Sequence, residues 1–98
     1  MKNILVIDDE IDICNNIKAI LTDEGFNIQV AHNSDDAFNY INKHSYSLII
    51  LDVWLDNSKY DGLEILKQIR KNLTIPIIII SGHGNIEMAV SAIKDGAN

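Results

Sequence analysis

The chain has 98 residues, of which 47% are hydrophobic and 22% are charged, so it has enough apolar material for one modest domain and is unlike a disordered segment. Its formal net charge of −6 argues against a nucleic-acid-binding surface, which needs a basic face, and no apolar run approaches the length of a membrane-spanning helix. The single cysteine, Cys14, cannot form an internal disulfide and fits a reducing, cytoplasmic setting.

In the first strand–helix unit of the chain, two acidic residues follow the strand. The apolar run Ile4–Ile7 predicts a strand buried on both faces, and Asp8 and Asp9 follow it directly. Apolar residues at helical spacing predict the next helix, and Gly25 suits the position after its end. These apolar residues are Ile11, Cys14, Ile17, Ile20 and Leu21. Because Cys14 falls in this series, we interpret it as a core residue rather than a nucleophile.

The second unit and the strand after it follow the same pattern. A short strand is predicted over residues 27–31, and Ser34 is the predicted N-cap of a second helix, whose apolar stripe includes Phe38. The run Leu48–Leu51 then predicts a third strand, again buried on both faces. This strand ends at Asp52.

The remaining elements complete an alternation of strands and helices. A third helix is predicted over residues 63–71, and Pro76 opens a fourth strand, Ile77–Ile80, at a position where a missing N–H is tolerated. A loop at 81–84 precedes an apolar helical pattern at 86–93, which predicts a fourth helix. Strands that alternate with helices predict an α/β fold, in which a doubly wound parallel sheet is covered on both sides.

The acidic residues that end two of the strands predict a cation site. The carboxyl ends of parallel strands meet at one edge of a sheet, so we expect Asp8, Asp9 and Asp52 to lie together there. Two unit charges about 4 Å apart repel by roughly 4 kcal/mol at the effective dielectric of a protein surface. No lysine or arginine lies beside these residues in sequence. We therefore expect Mg²⁺, an oxygen-seeking cation, to join them.

These features together resemble the receiver domain of bacterial two-component response regulators. The resemblance runs from Asn3 to Asn98. Its motifs are ILVIDDE at 4–10, LIILD at 48–52, DGLE at 61–64, PIIIISGHG at 76–84 and AIKDGA at 92–97. The resemblance implies a flavodoxin-like fold with the strand order 2-1-3-4.

The resemblance also implies roles for individual residues. Asp52 would be the phosphoacceptor, taking a phosphoryl group from a sensor histidine kinase. Asp9 would bind Mg²⁺ directly, Asp8 would hold it directly or through water, and the backbone carbonyl of Trp54 would be a further ligand. Ser81 stands where the family has a hydroxyl that contacts the phosphoryl oxygens. Such a domain is a switch that assists its own phosphorylation and dephosphorylation rather than a turnover enzyme.

The loop after the third strand points to one branch of the family. Between Asp52 and Gly62 it is longer than the common family form, and Asp56 replaces the usual proline. This stretch resembles the NtrX-type branch of the NtrC family of nitrogen-response transcription activators, and the sequence SGHG at 81–84 also suits that family. We interpret His83 as an exposed loop residue rather than a ligand.

The family pattern extends beyond Asn98, the last residue of the sequence. Family members continue with a fifth strand that carries an active-site lysine, then a fifth helix, and no lysine within 1–98 replaces that lysine by motif. We therefore expect residues 1–98 to be a C-terminally incomplete receiver domain of a longer activator with ATPase and DNA-binding domains. With the fifth strand absent, Ile77–Ile80 would be an open sheet edge, so we also expect self-association.

Two alternative functions stay open at this point. The first is a receiver-like interaction or dimerisation module that is not phosphorylated in this form. The second is a phosphohydrolase of the haloacid-dehalogenase type, which also uses a strand-end aspartate and Mg²⁺ but needs Asp-x-Asp, whereas the chain has Asp8-Asp9-Glu10. A dinucleotide-binding unit is disfavoured because no Gly-x-Gly-x-x-Gly follows any predicted strand.

Overall fold

The computed structural model describes residues 2–52, 55 and 60–80. The elements alternate strictly between strand and helix through the described part of the chain. They are β1 (Asn3–Ile7), α1 (Ile11–Asp23), β2 (Asn27–Ala31), α2 (Ser34–Lys43), β3 (Leu48–Asp52), α3 (Gly62–Arg70) and β4 (Ile77–Ile80). The loop expected at 81–84 and the helix expected at 86–93 lie outside the described residues.

The four strands form one parallel sheet in the order β2-β1-β3-β4, which confirms the expected flavodoxin-like arrangement. β1 is an inner strand: Ile4 pairs with Ile28 of β2 on one side and with Leu48 of β3 on the other. β3 in turn pairs with β4, with Asp52 opposite Ile80. Because all four strands are parallel, their carboxyl ends share one edge of the sheet, and this edge carries Asp8, Asp9 and Asp52.

Alternate residues of the inner strands β1 and β3 enter two separate apolar clusters, because successive side chains of a strand point to opposite faces. One cluster lies on the face covered by α2 and α3 and includes Leu5, Ile49 and Ile65, each with no exposed surface. The other cluster lies under α1 and includes Val6 and Cys14. The interpretation of Cys14 as a core residue is confirmed, since its side chain is fully buried.

Helix α1 covers less of the sheet than its apolar sequence predicts. Ile11 and Ile20 are 62% and 65% exposed, although both belong to the apolar series that predicts this helix. Nine residues apart, they lie on opposite sides of the helix at 3.6 residues per turn, so both cannot face the sheet. Ile78 of β4 is also exposed.

No helix among residues 2–52 and 60–80 combines the length and apolar character required to cross a membrane.

The N-cap of α2 differs from the sequence prediction. Asn33, not Ser34, is the capping residue: its backbone is extended, and its side-chain oxygen accepts a hydrogen bond from the Asp36 N–H at 2.9 Å. A cap must stand just outside the first helical turn, and Ser34 is already helical. Ser34 is fully buried, and its hydroxyl oxygen instead accepts a hydrogen bond from the Tyr60 N–H at 3.2 Å.

Candidate metal centre at the carboxyl edge of the sheet

Three carboxylates meet where β1 and β3 end. One oxygen each from Asp8, Asp9 and Asp52 lies within 4.8 Å of the others. The pairing of Ile7 with Leu51 brings the residues that follow them side by side. Asp8 and Asp52 are almost completely buried, with exposed fractions of 0% and 1%, whereas Asp9 is half-buried. The structure therefore groups the three acidic residues that the sequence singles out, in a place where water screens their charges poorly.

The environment of Asp8 disfavours its charged form. Burial is the largest effect and raises the pKa of this carboxyl above its ordinary value, and the negative charge of Asp9 raises the pKa further. The hydrogen bond from the Glu10 N–H, 2.9 Å from Oδ1 of Asp8, and the contact with the Asp52 carboxyl act in the opposite direction but do not cancel the increase. The second oxygen of Asp8, Oδ2, is buried and receives no hydrogen bond within the described part of the chain.

This arrangement fits a divalent cation with a preference for oxygen. Carboxylate oxygens are the ligands that Mg²⁺ takes in proteins, and a cation beside Oδ2 of Asp8 would replace the hydrogen bond that this buried atom lacks. The same positive charge would offset the mutual repulsion of the three carboxylates. Two further residues with expected roles, Trp54 and Ser81, lie outside the described residues, as does His83.

Two side chains without an assigned role converge on the main chain of Asp8. Nδ1 of His32 lies 3.0 Å from the Asp8 carbonyl oxygen, and Sγ of Cys14 lies 3.3 Å from the same oxygen. Burial, followed by the nearby carboxylates, raises the pKa of the Cys14 thiol to about 11, so the sulfur keeps its proton at neutral pH. His32 is not among the site residues predicted from the sequence, although its position directly after Ala31, the last residue of β2, places it at the same sheet edge.

The long segment after Asp52 is attached to the rest of the domain at two described points. Leu55 is 7% exposed and belongs to the larger apolar cluster. Tyr60 is held by the hydrogen bond from its N–H to Ser34, and its ring packs edge-to-face on Phe38 with 6.0 Å between the ring centroids. The sequence gives no local signal of this attachment, because Ser34 and Phe38 lie on a different helix.

Comparison with known proteins agrees with this geometry. The response regulator receiver domain family matches residues 4–98. The putative NtrX-like response regulator of Rickettsia bellii is 54% identical over 96 residues, which are 97% of this chain and 20% of that protein. The nitrogen assimilation regulatory protein NtrX of Azorhizobium caulinodans is 48% identical over 96 residues, with 97% of this chain and 21% of that protein covered. The chain thus spans about a fifth of the length of these relatives.

A solved structure extends the likeness from sequence to fold. The crystal structure of the receiver domain of NtrX from Brucella abortus superposes with a TM-score of 0.90 at 47% identity, covering 96% of this chain and 79% of that one. Its similarity extends over the parallel sheet that brings the carboxylates together. On the family match and this shared fold, the chain belongs to the response regulator receiver domain family, with NtrX regulators among its relatives.

Proposed function

We propose that this domain is the phosphoacceptor switch of an NtrX-type transcription regulator, and that Asp52 takes its phosphoryl group from the phosphohistidine of a sensor histidine kinase. The observation that carries this proposal is the convergence of three carboxylate oxygens within 4.8 Å at the carboxyl edge of the sheet. The family membership and the NtrX relatives support the same role.

In the proposed reaction, an Asp52 carboxylate oxygen attacks phosphorus. A P–O bond forms as the P–N bond to the histidine breaks, and the electron pair of that bond returns to the imidazole. The product is an acyl phosphate. Asp8 and Asp9, with Asp52 and the Trp54 carbonyl, would hold Mg²⁺, which when bound supplies positive charge against the phosphoryl oxygens. The Ser81 hydroxyl would donate a hydrogen bond to one of those oxygens.

The proposed domain acts as a switch and not as a turnover enzyme, since the acceptor is its own side chain. It would promote its own phosphorylation and dephosphorylation, and it would control a nitrogen-response activator whose ATPase and DNA-binding domains are separate from residues 1–98. The acidic net charge of −6 is consistent with DNA binding elsewhere in such a protein. A cytoplasmic location remains a prediction from the sequence.

A second copy of the domain is the other proposed partner. The exposed Ile78 side chain on β4 supplies apolar surface for such contact. Among solved structures, the beryllofluoride-activated NtrC4 receiver domain, with a TM-score of 0.87 and 38% identity, is a dimer. We therefore expect phosphorylation to favour self-association.

Incubation with acetyl phosphate and Mg²⁺ tests the acceptor assignment. In the longer parent protein, we expect intact-mass measurement to show one added phosphoryl group, labile to base and hydroxylamine, in the wild type and in Asp35→Asn, a matched change of an exposed acid. Residues 1–98 alone should be labelled more slowly or not detectably, because the active-site lysine of the family is not among them. Asp52→Asn should gain none. A base-stable adduct, or a label that survives Asp52→Asn, would refute the assignment. Sedimentation of labelled and unlabelled protein then measures self-association.

A further inference from the structure

We infer that His32 and Cys14 are positioning residues for the metal centre: they hold the main-chain carbonyl of Asp8, and His32 is locked in the tautomer that carries its hydrogen on Nδ1. The tautomer follows from the hydrogen bond alone, whereas the consequence for Mg²⁺ rests on the proposed function.

The hydrogen-bond geometry determines which ring nitrogen is protonated. Nδ1 of His32 lies 3.0 Å from the Asp8 carbonyl oxygen, and a carbonyl oxygen can only accept. Nδ1 must therefore donate, which leaves Nε2 as the unprotonated nitrogen of the neutral ring. Sγ of Cys14 lies 3.3 Å from the same oxygen and 3.8 Å from Nδ1. The S–H group therefore also donates to the carbonyl, and two side chains share one acceptor.

The Asp8 carbonyl matters because it belongs to the peptide unit that joins Asp8 to Asp9. A peptide unit is planar, so the direction of this carbonyl also fixes the direction of the Asp9 N–H and the position of the Asp9 Cα. At its other end, Asp8 donates its own N–H to the Ala31 carbonyl at 3.0 Å. The end of β2 therefore holds both backbone polar groups of Asp8, one through Ala31 and the other through His32.

If the hydrogen bonds to the Asp8 carbonyl were lost, the carboxylates of Asp8 and Asp9 could take several relative orientations. A cation that demands near-ideal octahedral geometry loses affinity when its ligands are not preorganised. Groups that orient metal ligands from the outer shell typically change metal affinity by about 10–100-fold when they are mutated. Because His32 is exposed and water can replace part of its bond, we expect a loss near the lower limit, about tenfold.

The tautomer is measured directly, without metal, by ¹⁵N NMR of the imidazole rings, at a pH high enough that their chemical shifts no longer change with pH. We expect His32 to show a protonated Nδ1 and an unprotonated Nε2, the reverse of the preference of a free histidine side chain. His44, which is exposed and packs on Tyr46 with 6.4 Å between ring centroids, is an internal reference in the same spectrum. A His32 ring with its hydrogen on Nε2 would overturn the inference.

Magnesium affinity tests the positioning role. Calorimetric titration should show His32→Ala weakening Mg²⁺ binding about tenfold, while the matched variant His44→Ala leaves it unchanged. Cys14→Ser, which keeps a donor, should bind Mg²⁺ more tightly than Cys14→Ala. Urea unfolding of each variant separates this effect from a purely structural one, which would lower stability and leave the affinity of the folded protein unchanged. Equal affinity in His32→Ala and wild type would refute the positioning role.

These measurements also separate this inference from the proposed function. If Asp52 accepts no phosphoryl group but His32 has the expected tautomer and affects Mg²⁺ affinity, the phosphoacceptor role fails and the positioning role stands. If Asp52 is labelled normally while His32→Ala leaves Mg²⁺ affinity unchanged, the positioning role fails alone.

Discussion

The two edges of the sheet satisfy their polar groups in different ways. At the amino edge, neutral amides and one cation form hydrogen bonds within the domain. Asn27 donates its side-chain N–H to the Asn3 side-chain oxygen at 3.2 Å, and the Ser47 N–H donates to the Asn3 carbonyl at 2.8 Å. Nη1 of Arg70 donates to the Ile75 carbonyl at 2.6 Å, just before β4 begins.

The carboxyl edge instead concentrates charge of one sign. Asp8, Asp9 and Asp52 meet there, and Oδ2 of Asp8 is buried with no hydrogen bond from the described residues. The comparison shows that the same sheet separates two tasks. The polar groups of the amino edge are satisfied by hydrogen bonds within the domain, whereas the carboxylates of the carboxyl edge would be stabilised by a cation bound at the proposed site. Substitutions at the amino edge should therefore lower stability without changing cation binding. Substitutions at the carboxyl edge should weaken cation binding and can raise the stability of the metal-free protein.

The largest expected effect is stabilisation by the cation. Mg²⁺ at a hundred times its dissociation constant should raise the free energy of unfolding of the wild type by about 2.7 kcal/mol, because it binds the folded state. The gain should be much smaller in Asp52→Asn at the same concentration and intact in Arg70→Met. Urea denaturation with and without Mg²⁺ measures it. A comparable gain in Asp52→Asn would show that the cation binds elsewhere.

The next effect is a gain in stability when a site residue is neutralised. Without divalent cations, Asp8→Asn should raise the free energy of unfolding by about 2 kcal/mol at pH 8, because it removes a buried charge with poor hydrogen bonding. Burial raises the folded-state pKa of Asp8 above the unfolded value of 3.8. The cost of its charge therefore develops as pH rises from the unfolded pKa through the folded one, and disappears below 3.8, where both states are protonated.

The pH dependence of the stability gained in Asp8→Asn tests whether the charge of Asp8 is its cause, and Asp12→Asn is the control. The difference in unfolding free energy between Asp8→Asn and wild type should grow between acidic and neutral pH, measured with a chelator present. Asp12→Asn removes an exposed acid in the first turn of α1 and should be neutral or slightly destabilising, because acids favour helix N-termini. If Asp8→Asn is no more stable than wild type at pH 8, repulsion in the metal-free site has been overestimated.

The smallest expected effect belongs to the amino edge. Arg70 donates from Nη1 to the Leu73 and Ile75 carbonyls, at 3.3 and 2.6 Å, and so closes the turn between α3 and β4. Arg70→Met should lower the free energy of unfolding by about 1.5 kcal/mol without changing Mg²⁺ affinity. Lys71→Met removes the same charge from an exposed neighbouring position and should change stability by less than about 0.5 kcal/mol. Weakened Mg²⁺ binding in Arg70→Met would contradict the separation of the two edges.

The sequence predicts features that depend on strand ends and misses those that depend on pairing. Asp8, Asp9 and Asp52 could be grouped in advance because parallel strands deliver their last residues to one edge, whatever the order of the strands. The contact between His32 and the Asp8 carbonyl depends on the register of β1 against β2, which local patterns do not define.

Features that depend on a single residue position were also hard to predict. Asn33 and Ser34 are both good capping residues, so only the backbone conformation decides which one precedes the first helical turn of α2. The spacing of Ile11 and Ile20 already excludes that both face the sheet, but it does not state that both are exposed, which depends on how α1 is rotated about its axis against the sheet. Periodicity identified the helix correctly and overestimated its buried face.

The inner position of β1 has a consequence for synthesis on the ribosome. β1 precedes both of its partner strands in the chain. The residues that pair with Ile4 are synthesised later, first Ile28 of β2 and then Leu48 of β3. A nascent chain that has reached only α2 can pair β1 with β2 but leaves the other side of β1 as an open apolar edge, which is a template for pairing with another chain. The acidic cluster cannot form until β3 delivers Asp52, so the pairing of β3 with β1 both covers this edge and brings the three carboxylates together.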